Sequence, residues 1–289
     1  MKHKKIDFAY YCMAAIAMVS MQSCGGESAQ TTSGHTEAGE TLVEDGFSID
    51  NMYHLSDTVL TDRELTVSLF SDAPLTSKHE NLYIHVENLD GSPSTDVSVD
   101  FHTYMDMGMM SHGGPFSKPE QLAGGWFKGG AVFIMPDMDD MGKGWLLRTQ
   151  LSKDGITDSL TFKLPVTQAT VTRTVPFDGG KDGRFFISLL LPDTASVGRL
   201  PVDFVLHHVD HNVFPTASGY TVKLEPYMPE MKHGSKDNED ATSLGAGYYR
   251  GMVNLPMAGL WEIHGTLLKD GQQVSTDPII FKVQVTASN

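Results

Sequence analysis

The sequence holds only two cysteines, Cys12 and Cys24, and none in anything that follows. A disulfide-stapled core is thereby excluded for the rest of the chain, and so is a thiolate metal site. Basic residues are also scarce: 21 Lys and Arg stand against 36 Asp and Glu, for a net charge of −15. Nucleic acid is therefore not expected as a partner, because phosphate binding needs clustered Lys and Arg. No nucleophile elbow, paired-carboxylate spacing, phosphate loop or His-Glu-x-x-His motif occurs, so the sequence does not read as an enzyme. No amphipathic helical stretch of useful length appears beyond the first residues.

Those first residues carry an address. Met1-Lys2-His3-Lys4-Lys5 is a short basic region, and Phe8 to Met21 is an apolar run too short and too rich in small residues for a spanning helix. This pattern predicts an export signal over residues 1–23. It closes on Val19-Ser20-Met21-Gln22-Ser23-Cys24-Gly25-Gly26, which resembles a bacterial lipobox, with Gln22 bulkier than the residue usual there. The resemblance implies cleavage before Cys24, acylation of that cysteine, and a lipid anchor to a membrane of the cell envelope, the outer membrane favoured. Such a lipoprotein faces the periplasm or the cell surface. Ordinary signal-peptidase cleavage, with Cys24 incidental, is the alternative. Losing residues 1–23 removes three lysines and one aspartate and moves the net charge to −17. Residues 24–46 are rich in Gly, Ser, Thr, Glu and Ala, a composition that buries little apolar surface and predicts a flexible tether.

The remaining residues repeat themselves. Gly124-Gly125-Trp126-Phe127-Lys128-Gly129, Met141-Gly142-Lys143-Gly144-Trp145-Leu146 and Leu151-Ser152-Lys153-Asp154-Gly155 recur in order. Their echoes are Gly245-Ala246-Gly247-Tyr248-Tyr249-Arg250-Gly251, Met257-Ala258-Gly259-Leu260-Trp261-Glu262 and Leu267-Leu268-Lys269-Asp270-Gly271. Two tandem copies, 47–168 and 169–289, account for this. Leu65 to Phe70, Leu82 to Val86, Val97 to Phe101, Phe185 to Leu191, Val202 to Leu206 and Ile279 to Val285 alternate apolar and polar residues as strands do. Copies of this size with short alternating strands predict an all-β fold of two immunoglobulin-like antiparallel sandwiches. Trp145 and Trp261 are expected in the cores, while Trp126, beside glycines, is open to covering a site.

The methionines are unevenly spread. Of the twelve outside the signal, eleven fall within residues 105–141 or 228–257, about a quarter of the remaining chain. The first cluster is Tyr104-Met105-Asp106-Met107-Gly108-Met109-Met110-Ser111-His112-Gly113, and its echo is Tyr227-Met228-Pro229-Glu230-Met231-Lys232-His233-Gly234. Thioether sulfur and imidazole are suited to copper, the thioether to Cu(I) in particular. Sandwich loops gather residues distant in sequence, so the Met105–His112 loop can meet the Met135–Met141 loop, and Met228, Met231 and His233 can meet Met257. The plain alternative is that methionine fills irregular core gaps, above all at Met141 and Met257, which stand just before core strands. His207, His208 and His211 form a second tempting group, but neighbours on a strand face opposite ways. Asp137, Asp139 and Asp140 lack the rest of a calcium loop.

Met228-Pro229-Glu230-Met231-Lys232-His233-Gly234 followed by Met257-Ala258-Gly259-Leu260-Trp261 resembles the YtkA-like family, related to FixH-like proteins. The likeness covers most of residues 180–286, and residues 50–168 form a looser match without the proline. The resemblance implies an extracytoplasmic immunoglobulin-like domain that handles copper. It carries over Met228, Met231, His233 and Met257 as ligands in the second copy, and Met110, His112 and Met141 in the first, where Met105 and Met107 add further thioethers. Copper, Cu(I) favoured, is the expected cargo, held for handling or for transfer with a donor or acceptor protein. The alternative is a non-metal immunoglobulin-like interaction module of an envelope complex, docking through exposed Met and aromatic loops.

Overall fold

The computed structural model describes residues 51–138, 143–211 and 213–287. The export signal, the tether, Cys24 and Met141 lie outside the described residues. The first half contains β1 (Tyr53–Leu60), β2 (Leu65–Ser71), β3 (His79–Asn88), β4 (Ser98–Asp106), β5 (Ser111–Gly113), β6 (Glu120–Gln121), β7 (Trp126–Val132), β8 (Gly144–Lys153) and β9 (Ile156–Leu164). The second contains β10 (Thr174–Asp178), β11 (Arg184–Leu190), β12 (Thr194–Ser196), β13 (Gly198–His208), β14 (Thr221–Met228), β15 (His233–Gly234) and β16 (Glu239–Gly245). It continues with β17 (Tyr248–Leu255), β18 (Gly259–Lys269), β19 (Gln272–Gln273) and β20 (Ile279–Thr286). Helix is confined, among the described residues, to the single turns Thr61–Arg63 and Gly180–Asp182.

The strands form antiparallel sandwiches, as the alternating sequence predicts. One layer of the first half runs β1-β2-β3-β7-β6 and the other β5-β4-β8-β9. The second half repeats both layers as β10-β11-β13-β17 and β15-β14-β18-β20, with β16 bonded to both β17 and β14 so that the layers join along one edge. β12 adds a parallel pairing, against β20. Immunoglobulin-like sandwiches of this kind bury every second residue of each strand. Val99, Phe101, Thr103 and Met105 point inward from β4, and Val222, Leu224, Pro226 and Met228 do so from β14.

The apolar core falls into two clusters, one drawn from Leu65 to Val166 and the other from Phe177 to Val285. Each large side chain so buried contributes about 1.5–3 kcal/mol, which is what holds the layers without a disulfide. Trp145 and Trp261 sit fully buried in the respective clusters. Hairpin turns form at Asp154-Gly155 and Asp270-Gly271, where φ lies between 50° and 76° at all four residues, the backbone that Asp-Gly favours in a two-residue hairpin. Trp126 begins β7 rather than lying in a loop, stacks on His85 at 4.1 Å between ring centroids, and packs against Phe70 at 5.2 Å. Together the two halves belong to one compact unit.

Candidate metal site

The two Met/His clusters form the same hairpin. In the first half Tyr104 pairs with Gly113, Met105 with His112, and Asp106 with Ser111. In the second, Tyr227 pairs with Gly234 and Met228 with His233. A methionine and a histidine thus lie directly opposite each other on adjacent strands, where cross-strand side chains touch. The first hairpin is one residue pair longer before its turn, which Met107 closes by donating its N–H to the Met110 carbonyl at 2.9 Å. Gly108 adopts φ +84° in that turn, and Asp106 Oδ1 accepts its N–H at 2.7 Å.

The imidazoles are held identically. His112 Nδ1 lies 2.9 Å from the Gly113 carbonyl, and His233 Nδ1 lies 2.9 Å from the Gly234 carbonyl. A carbonyl only accepts, so Nδ1 carries the hydrogen and donates it. Nε2, the nitrogen that carries the lone pair in this tautomer, has no hydrogen-bond partner among the described residues. Metal-binding histidines are commonly fixed in this manner, the second ring nitrogen donating to a backbone carbonyl.

A tryptophan braces each pair. Trp145 is the β8 neighbour of Met105, and its ring meets that of His112 edge to face, with centroids 5.7 Å apart. Trp261 meets His233 in the same way at 5.9 Å. The indole hydrogen of Trp261 is donated to the Met257 carbonyl at 2.9 Å, and that of Trp145 to the Met135 carbonyl at 2.8 Å. By this bond Met135 holds in the first half the place that Met257 holds in the second. Met135 and Met107 both pack on the first core cluster that contains Met105, as Met257 packs on the second that contains Met228.

Burial separates the methionines into two kinds. Met105 and Met228 are 0% and 4% exposed, whereas Met109, Met110 and Met231 are 99%, 68% and 56% exposed at the turns. Trp145 is thus linked to Met105 by strand pairing, to His112 by its ring and to Met135 by its indole hydrogen, and Trp261 is linked to His233 and Met257 in the same two ways, with Met228 opposite His233. Met110 and Met231 stand apart at the tips. Gly259, at φ +133°, leaves room for the Met228 methyl: a Cβ there would lie 2.5 Å from Met228 Cε.

These residues suit a soft cation. Each half offers thioethers and one imidazole beside its apolar core, a donor set matched to Cu(I). Among the described residues no three of His, Cys, Asp and Glu converge, so a harder ion has no comparable cage there. His207, His208 and His211 do not converge. His207 is buried, His208 Nε2 lies 2.9 Å from the Asp182 carbonyl, and His211, at φ +55°, reaches out to Asp210. Asp137 serves a structural end, accepting the Trp145 main-chain N–H at 2.7 Å.

No curated protein matches the chain. Solved structures similar to it include the Escherichia coli adhesin FdeC, at 14% identity over 79% of this chain and 66% of that one, with a TM-score of 0.25. Domains 5–6 of the S-layer protein SbsC share 10% identity over 82% of this chain and all of theirs, with a TM-score of 0.30. A conserved domain protein from Bacillus anthracis shares 9% over 80% and 90%, with a TM-score of 0.33. These are distant likenesses, and this chain spans about two thirds of the adhesin's solved length. Within the second half, residues 182–266, which include Met228, Met231, His233, Met257 and Trp261, match the YtkA-like family.

Proposed function

We propose that the protein is a lipid-anchored envelope protein with two tandem YtkA-like modules, each binding copper as Cu(I) for handling or transfer. The reading rests on one observation: the same buried methionine, opposed histidine and tryptophan-tied methionine loop occurs twice, at Met105, His112 and Met135 and at Met228, His233 and Met257. Generic core filling does not require a histidine with its Nδ1 tied back and its Nε2 left open in both places. Copper supplies the affinity for thioether and imidazole; the chain's own residues orient the ring, exclude water around the buried sulfur, and present further thioethers at the hairpin tips. Without a thiolate such a site releases its cargo readily, which suits transfer to an acceptor protein rather than catalysis.

The test is competition between the purified protein and a chromophoric Cu(I) chelator. Two Cu(I) per chain are expected, falling to one in the double variant Met228→Leu/His233→Ala. Failure of either half to compete would overturn the reading. The second reading, a metal-independent docking module, is favoured by the full exposure of Met109, since methionine suits adaptable binding surfaces. A partner captured equally well with and without chelator, and by the double variant, would support it.

A further inference from the structure

The outer face of β13 is buried although it points away from the second core. Val202, Phe204 and Leu206 of this strand supply the core cluster, so Val205 and His207 face the other way, yet both are buried. What lies over them is the first half. Tyr248, the β17 neighbour of Val205, donates its hydroxyl to Ser117 Oγ at 3.3 Å and meets the His79 ring edge to face at 6.4 Å. Ser117 Oγ in turn accepts the Gly130 N–H at 2.7 Å, and Gly130 abuts His79 Nε2. One edge of His79 lines a cleft of about 1160 Å³ between the halves, bordered by Lys118, Glu120, Lys128, Tyr248 and Arg250.

Two imidazoles therefore sit at the joint, one from each half, and neither is properly satisfied. His79 Nε2 and both ring nitrogens of His207 are buried without a well-formed hydrogen bond, His207 having only a weak contact with the Phe116 backbone. Buried polar atoms in folded proteins are rarely left so. Burial, aided by Lys128, pushes His79 down to about 4 against a weaker upward pull from Asp72. Burial and the nearby His79 push His207 down to about 3. No carboxylate pairs with either ring: Asp72 is engaged by the Tyr83 hydroxyl and the Asn81 amide, and Asp203, which also borders the cleft, by Arg250.

We propose that this joint is a proton-sensitive latch, closed while His79 and His207 are neutral and released when either gains a proton, so that the halves separate with each sandwich intact. The sign follows from linkage. Both rings bind protons less readily in the closed form than in water, where histidine titrates near 6.5, so the closed form is at full strength above that pH. It weakens as pH falls from about 6.5 toward 4, by about tenfold in the closed-to-open ratio per pH unit for each histidine.

The experiment is small-angle scattering of the full-length protein from pH 7.5 to 4.5, with near-ultraviolet dichroism of the buried tryptophans as the control for folding. The expected result is a reversible rise in radius of gyration below pH 6.5 with the tryptophan signal unchanged, absent in His79→Leu/His207→Leu. A wild-type radius constant to pH 4.5, or the same rise in the double variant, would overturn the proposal. Should the double variant fold poorly, histidine-ring NMR on the wild type decides. Rings that stay neutral until the halves part agree with the latch, and rings that titrate near 6.5 in the compact protein do not.

Discussion

Met228 lies directly opposite His233 across a four-residue turn, and the histidine's other nitrogen is already committed to the carbonyl of the residue that follows it. The pair is thus oriented before any metal arrives. Replacing either member should weaken Cu(I) binding at the second site by about tenfold or more, the loss seen even for residues that only support metal ligands. Met228→Leu conserves volume and should cost less than about 1.5 kcal/mol of stability. Chelator competition together with thermal melting separates the two effects, and a melting loss as large as the affinity loss would count against a ligand role.

Trp261 ties its loop to the core through the Met257 carbonyl. Trp261→Phe leaves that carbonyl without its donor, at a cost of about 1–3 kcal/mol for the carbonyl alone, and frees the Met257 loop. Denaturant unfolding should show the loss, and Trp145→Phe should produce its counterpart at Met135 in the first half. An unchanged midpoint in both variants would mean that neither bond constrains its loop.

Gly259 is required by the methionine above it. Gly259→Ala places a methyl 2.5 Å from Met228 Cε, in a backbone conformation that side chains avoid. A loss of about 1–3 kcal/mol is expected from overpacking, with Cu(I) affinity falling at the second site and unchanged at the first. Equal loss at both sites would contradict this assignment.

Exposure orders the methionines by reactivity. Mild peroxide should convert Met109, Met110 and Met231 to sulfoxide well before Met105 and Met228, since thioether oxidation follows access. Peptide mass spectrometry reads the order directly. Met109→Ser should leave stability within about 0.5 kcal/mol of the parent, as surface changes do.

Much of this was legible along the chain and some was not. Alternation in Leu65 to Phe70 and Ile279 to Val285 places strands β2 and β20, because one face of each is buried and the other wet. The core positions of Trp145 and Trp261 follow from the same pattern. The pairing within the hairpins does not follow, because linear spacing matches Met110 and His112 to Met231 and His233, while the ladder opposes Met105 to His112 and Met228 to His233. Turn length decides register, and it is not visible in composition. The match of Met135 to Met257 was hidden for a related reason: ten residues separate Met135 from Trp145, whereas four separate Met257 from Trp261, so the shared hydrogen bond lies behind a longer loop. The approach of His79 to His207 joins residues 128 positions apart and leaves no local trace.

Five positions separate Met228 from His233 and seven separate Met105 from His112, yet both pairs stay opposed. A hairpin grows without changing which residues face each other only when both arms lengthen together, so the separation obeys a parity rule. An insertion of two residues at the turn extends the reach of the tip and leaves the ligand pair in place. An insertion of one must be taken up in the turn itself, as a five-residue loop or a bulge, if the pair is to stay opposed. Length variation in this hairpin should therefore fall more readily in even steps, which lengthen both arms, than in odd ones, which rebuild the turn.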